Sequence, residues 1–117
     1  MKKVLFVIYQ APCGSIWVNE GFRSAFGMYG EDIEPEVLLI DQAVISVAQE
    51  TEPKKLGLYS LKIVQRYIKR FETKVYVDKG SLEKYKITEI DPDYQAELID
   101  QQQMVELVHD KDLVIYF

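Results

Sequence analysis

Cysteine occurs once in this 117-residue chain, as Cys13, and histidine once, as His109. A single cysteine forms neither an internal disulfide nor a Cys-x-x-Cys exchange pair, and with one histidine it falls short of an ordinary zinc ligand set. The expectation is a cytoplasmic, metal-free protein without a bound cofactor. Glycine (six) and proline (four) are sparse, which excludes collagen-like and low-complexity chains. Positive charge is short as well. Fourteen Lys+Arg stand against nineteen Asp+Glu, a net charge of −5, so no basic surplus exists to neutralise phosphates and direct, charge-driven nucleic-acid binding is not expected. No apolar run approaches the ~18 residues of a membrane span. The stretch Val4 to Gln10 after Met1-Lys2-Lys3 is broken by Gln10, Pro12 and Gly14 and lacks a small-residue cleavage pattern. It reads as a buried strand rather than a secretory leader.

What is present is the material of one core. Hydrophobic residues make up 48% of a chain of single-domain length, so residues 1–117 read as one domain. Lys3 to Tyr9 is a continuous β-branched and aromatic run, suited to a strand covered on both faces. Gly14 and Ser15 offer a turn and a cap. Val18, Phe22, Ala25, Phe26 and Tyr29 then recur on one helical face, and Gly30 ends that helix. Glu36 to Ile40 is a second strand, Asp41 to Ala48 a short helical or irregular stretch, and Gln49 to Lys55 a loop. From Leu58, the residues Leu61, Val64, Ile68 and Phe71 repeat at helical spacing, with Lys62, Arg66, Lys69 and Arg70 on the other side. Lys74 to Asp78 makes a third strand, Gly80-Ser81 begins a helical turn toward Tyr85, and Lys86 to Ile90 reads as a short strand. Asp91-Pro92 signals a helix carrying Tyr94, Leu98, Val105 and Val108, with Gln101 to Gln103 as its solvated face. Leu113 to Phe117 is the last strand.

Strands alternating with helices predict an α/β protein: a three-layer sandwich with a mainly parallel sheet of about five strands flanked by helices. Ligands on such sheets bind beyond the carboxyl ends of the strands, so chemistry is expected in Gln10 to Ser15, Asp41 to Pro53 and Asp78 to Ser81. Cys13 falls just before a helix N-terminus, where unpaired amides favour a thiolate; a small filler on a turn is the plainer reading. The first arginine after it, Arg23, is ten positions on, too far to cradle a phosphate as a phosphatase would need. The turn around Pro12 and Gly14 has one glycine and no Lys-Ser/Thr pair, so neither nucleotide-binding fingerprint is met. Asp41 and Asp78 each follow an apolar strand and read either as an acidic pair across the sheet edge or as helix caps. Trp17, beside Ile16, sits next to this edge and suits an interface or internal packing. His109, with Asp110 and Asp112 nearby, reads as a helix C-terminal residue favoured by the dipole.

Strand one followed by Ala11-Pro12-Cys13-Gly14-Ser15 and then Glu20-Gly21-Phe22 resembles the opening of the DsrE/DsrF-like sulfur-relay proteins, in particular the DsrF/TusC branch. Leu39-Ile40-Asp41 with Ala43-Val44 and Pro53, and the ending Asp112 to Phe117, extend the resemblance over the chain. It implies a flavodoxin-like, DsrE-like fold in a small cytoplasmic protein that forms homo- or hetero-oligomers, trimers or hexamers, with related subunits. Some of these subunits pass persulfide sulfur between proteins. In the sulfur-carrying branch the cysteine ends the strand that corresponds to Lys74–Asp78; here the segment reads Val75-Tyr76-Val77-Asp78 with no cysteine. The expected function is therefore a non-carrier subunit of a sulfur-relay assembly. Two alternatives stand beside it: a Cys13-dependent sulfurtransferase or thiol sensor, and a regulatory domain binding a small anionic ligand at the Gln10 to Ser15 turn.

Overall fold

A computed structural model of the chain describes residues 2–10, 17–28, 33–47, 62–87 and 89–117. Five strands, β1 (Lys2–Ile8), β2 (Ile33–Leu39), β3 (Lys74–Asp78), β4 (Glu97–Ile99) and β5 (Leu113–Tyr116), form one sheet in the order β4-β3-β2-β1-β5. Every pairing is parallel. Parallel strands need crossovers, supplied by α1 (Trp17–Gly27), α2 (Lys62–Phe71) and α4 (Gln101–His109), while the short α3 (Lys79–Lys84) follows β3 directly. The α/β expectation holds, with the sheet wholly parallel.

The interior position of β1, between β2 and β5, explains its unbroken apolar sequence. Val4, Phe6 and Ile8 point to the face covered by α1 and α2 and join Phe22, Ala25 and Ile68 in the larger core. Leu5 and Val7 point the other way and join Leu38 and Ile99 in a smaller core under α4, with Met104, Leu107 and Val108 packed on it. A strand buried on both faces has no polar side to alternate with. At its end the pairing with β5 continues past the strand, since the Tyr9 N–H donates to Phe117 O at 3.1 Å and the Phe117 N–H to Val7 O at 2.8 Å.

β2 begins at Ile33, earlier than the sequence pattern indicates, and includes Pro35. The imino acid is tolerated because β3 pairs only with Glu36 to Leu39, leaving residues 33–35 on an open edge. The segment Asp41–Val47 is a 3₁₀ helix, as the irregular reading allows. Residues 48–61, including the expected start of α2 at Leu58, lie outside the described set.

The region after α3 corrects the sequence reading. The described residues of Lys86 to Ile90 form a turn and an isolated bridge at Ile90, and β4 lies instead at Glu97–Ile99. The single helix expected from Asp91 is divided. Asp91-Pro92 opens one 3₁₀ turn ending at the buried Tyr94, and Gln95, at φ 50°, takes the left-handed conformation that stops it. α4 starts afresh at Asp100, whose side chain accepts the Gln103 N–H at 2.8 Å while Gln103 Oε1 accepts the Asp100 N–H at 2.9 Å. This reciprocal capping box gives Gln103 a task beyond a solvated face.

Candidate functional site

Starting from β1, strands β2, β3 and β4 succeed one another on one side and β5 lies on the other, so strand order reverses between β1 and β5. The carboxyl edge near such a reversal is where open α/β sheets bind ligands. A groove of about 430 Å³ opens at this edge on the α4 face. Val7, Leu38 and Ile40 from the strand ends form its floor, and Met104, Val105 and Val108 of α4 form one wall. Tyr116 of β5 closes one side, and Asp41, Asp78, Ser81, Gln101 and His109 supply polar groups.

The polar end is built by the loops that leave β2 and β3. Asp41 adopts a φ of 50°, a left-handed conformation that a short polar side chain tolerates. Its backbone N–H donates to Ser81 Oγ at 2.8 Å, and Ser81 Oγ–H donates to Asp78 Oδ2 at 2.7 Å. Asp78 is also the N-cap of α3, its Oδ1 accepting the Gly80 N–H at 3.1 Å. The outer side of Asp41 is occupied as well: Oδ1 accepts from Tyr85 OH at 2.8 Å and from Lys84 Nζ at 3.3 Å. The Tyr85 hydrogen bond, and then that of Lys84, hold the Asp41 carboxyl below the usual carboxylate range. The same contact raises the Tyr85 phenol and the Lys84 ammonium above their ordinary values.

Asp41 and Asp78 thus meet at one edge, joined through Ser81 rather than as a bare acidic pair. Asp78 is a cap, as one of the two sequence readings has it, whereas Asp41 turns its side chain to α3 and its C-terminal turn. Ser81 is buried, its lone pair is engaged by an amide and its proton by a carboxylate, so it acts as a link between loops rather than as a nucleophile. His109 is the last residue of α4, as expected, but it also lines the groove, a placement that its sequence neighbours Asp110 and Asp112 do not reveal. Tyr85 and Lys84 were missed as partners of Asp41. The one available signal for Ser81 was its Asp-x-x-Ser spacing from Asp78 at a helix start.

Pro12, Cys13, Gly14 and Ser15 lie outside the described residues, and Trp17 opens α1 with its side chain outside them. Among the described residues no group of three His, Cys, Asp or Glu side chains stands in a metal-binding arrangement, and no helix is long and apolar enough to cross a membrane.

The crystal structure of the YchN protein from E. coli superposes with a TM-score of 0.83 over 100% of both chains at 17% sequence identity, which establishes a shared fold. No curated protein matches the sequence. The family model described as "DsrE/DsrF-like family" matches residues 2–117, nearly the whole chain. The chain therefore belongs to the DsrE/DsrF-like family.

Proposed function

We propose that this protein is a non-carrier subunit of a sulfur-relay assembly, acting through contacts with related subunits. The observation that carries the reading is the end of β3. Where the resemblance places a carrier cysteine stands Asp78, with Oδ1 taken by the Gly80 amide and Oδ2 by the Ser81 hydroxyl. A persulfide requires a sulfur nucleophile, and a carboxylate committed to capping α3 supplies none. The groove beside Asp78 retains apolar walls and lies at the sheet's carboxyl edge, so the edge is shaped for a contact even though the sulfur-bearing atom is missing.

Incubation of the purified protein with a persulfide donor, followed by intact mass, tests this. The expected result is no gain, together with a native mass of a trimer or hexamer. A gain of about 32 Da that reductant removes and Cys13→Ser abolishes would make Cys13 a carrier instead. Thermal stabilisation by phosphate compounds would favour an anion-binding domain.

A further inference from the structure

The groove at the carboxyl edge is furnished differently at its two ends. Asp78 closes β3 and Tyr116 closes β5, with β2 and β1 between them, so three strand spacings, about 14 Å, separate the two residues along the edge. Between them the surface is apolar. Val7, Leu38 and Ile40 lie beneath, and α4 runs alongside with Met104, Val105 and Val108, one face of the helix. Val105 and Tyr116 are 51% and 61% exposed, so the wall and the far end still present apolar surface to a ligand. Fixed charge in the groove is of one sign: Asp41 and Asp78 line it, and among the described residues no lysine or arginine does. The two carboxylates differ in their partners. Asp41 is compensated by Lys84 at 3.3 Å. Asp78, half-buried, accepts only from uncharged donors, the Gly80 amide and the Ser81 hydroxyl, and no described cation pairs with it.

We propose that the groove binds a small organic amine, with one protonated amino group on Asp78 and an apolar body laid along α4 toward Tyr116. The volume of about 430 Å³ lies within the ~300–1,000 Å³ of small-molecule sites. A carboxylate beside an apolar surface gains most from a charged donor, because the contact is charge-assisted and the low local dielectric strengthens it. Other ligand classes fit less well. An anion meets two carboxylates and no lining cation. A wholly apolar molecule desolvates Asp78 and gives it no partner. A polyamine places its further charges against Val7 and Leu38, where nothing answers them. This inference goes beyond the sulfur-relay reading and stands on the groove alone, so neither persulfide loading nor native mass bears on it.

Amide NMR titration of the full chain with three probes that share one ring tests this: tryptamine, a cation; indole-3-ethanol, neutral; and indole-3-propionate, an anion. Tryptamine is expected to bind about tenfold more tightly than the alcohol, the margin of a charge-assisted contact over a neutral one, and the propionate most weakly. Shifts are expected on residues 38–41, on α4 and on Tyr116. Asp78→Asn keeps an oxygen for the Gly80 amide and removes the charge. It is expected to bring tryptamine down to the affinity of the alcohol and to leave the alcohol unchanged. Val105→Trp fills the groove from a half-exposed position and is expected to abolish binding of all three probes while far-UV circular dichroism keeps its wild-type shape. Equal affinity for the three probes, or preference for the propionate, overturns the proposal. So do the absence of tryptamine shifts at millimolar concentration, shifts that map away from the groove, and spermidine binding as tightly as tryptamine, which would make the response one of surface charge alone.

Discussion

Lys111 places its ammonium against the Glu36 carboxylate beneath α4, and the two side chains keep only 4% and 6% of their surface exposed. Glu36 sits on β2 and also accepts the Tyr76 hydroxyl of β3 at 3.2 Å, so the pair fastens the α4–β5 connection to the middle of the sheet. Removing one member strands the other charge in the interior, at a cost of about 3–5 kcal/mol. Lys111→Met is therefore expected to lower stability by that amount in urea denaturation. The double variant Glu36→Leu with Lys111→Met should regain most of the loss, since no unpaired charge remains. Equal losses in the single and double variants would show that packing alone sets the effect.

Asp41 gives a titration that reads the groove's polar end. Its carboxyl lies below the usual range because Tyr85 and Lys84 bind the charged form. A depressed acid contributes stability above its unfolded value and loses that contribution as pH falls through the lowered folded value. In an NMR titration Asp41 is expected to protonate at lower pH than a free aspartate. Tyr85→Phe, which deletes the largest cause, should shift the midpoint upward. An unchanged midpoint would mean that the 2.8 Å contact does not persist in solution.

At Gly21, α1 approaches β1 so closely that an added Cβ would stand 2.5 Å from Ile8 Cδ1 and 2.7 Å from Ile8 Cγ1. Ile8 is fully buried and its rotamer is held by the core, so Gly21→Ala is expected to cost about 1–3 kcal/mol through overpacking. Thermal denaturation checks this. Only part of the loss should return in an Ile8→Val background, which removes Cδ1 but keeps Cγ1 at 2.7 Å.

The sheet was legible because β1, β3, β5 and residues 37–39 of β2 are apolar runs, and two-sided burial leaves its plainest signature in β1. β4 was not. Glu97-Leu98-Ile99 is three residues long and begins with a charged residue, and what makes it a strand is pairing with Tyr76 to Asp78, a tertiary effect. The helix expected through this region failed at Gln95, where nothing in the residue type announces a positive φ. In the site, both aspartates were visible from their positions after apolar strands. Their union through Ser81 depends on β2 and β3 being neighbours, which periodicity does not encode.

Asp100 makes that regional difference testable. Asp100→Ala deletes the acceptor of the Gln103 amide and is expected to destabilise α4 by about 1 kcal/mol. Because α4 is one wall of the groove, hydrogen exchange should quicken in its first turn while β1 amides remain protected. Uniform acceleration would show instead that α4 unfolds only with the whole domain.

The central claim is that this subunit carries no sulfur because Asp78 stands at the end of β3. Its most direct test is persulfide loading of Asp78→Cys against the wild-type residue, both in a Cys13→Ser background, read by intact mass. The account predicts a reductant-sensitive gain of about 32 Da in Asp78→Cys, none in its parent, and none in the otherwise wild-type chain with Cys13 present. A gain in the wild-type chain, or a cysteine at position 78 that takes up no sulfur, would contradict it.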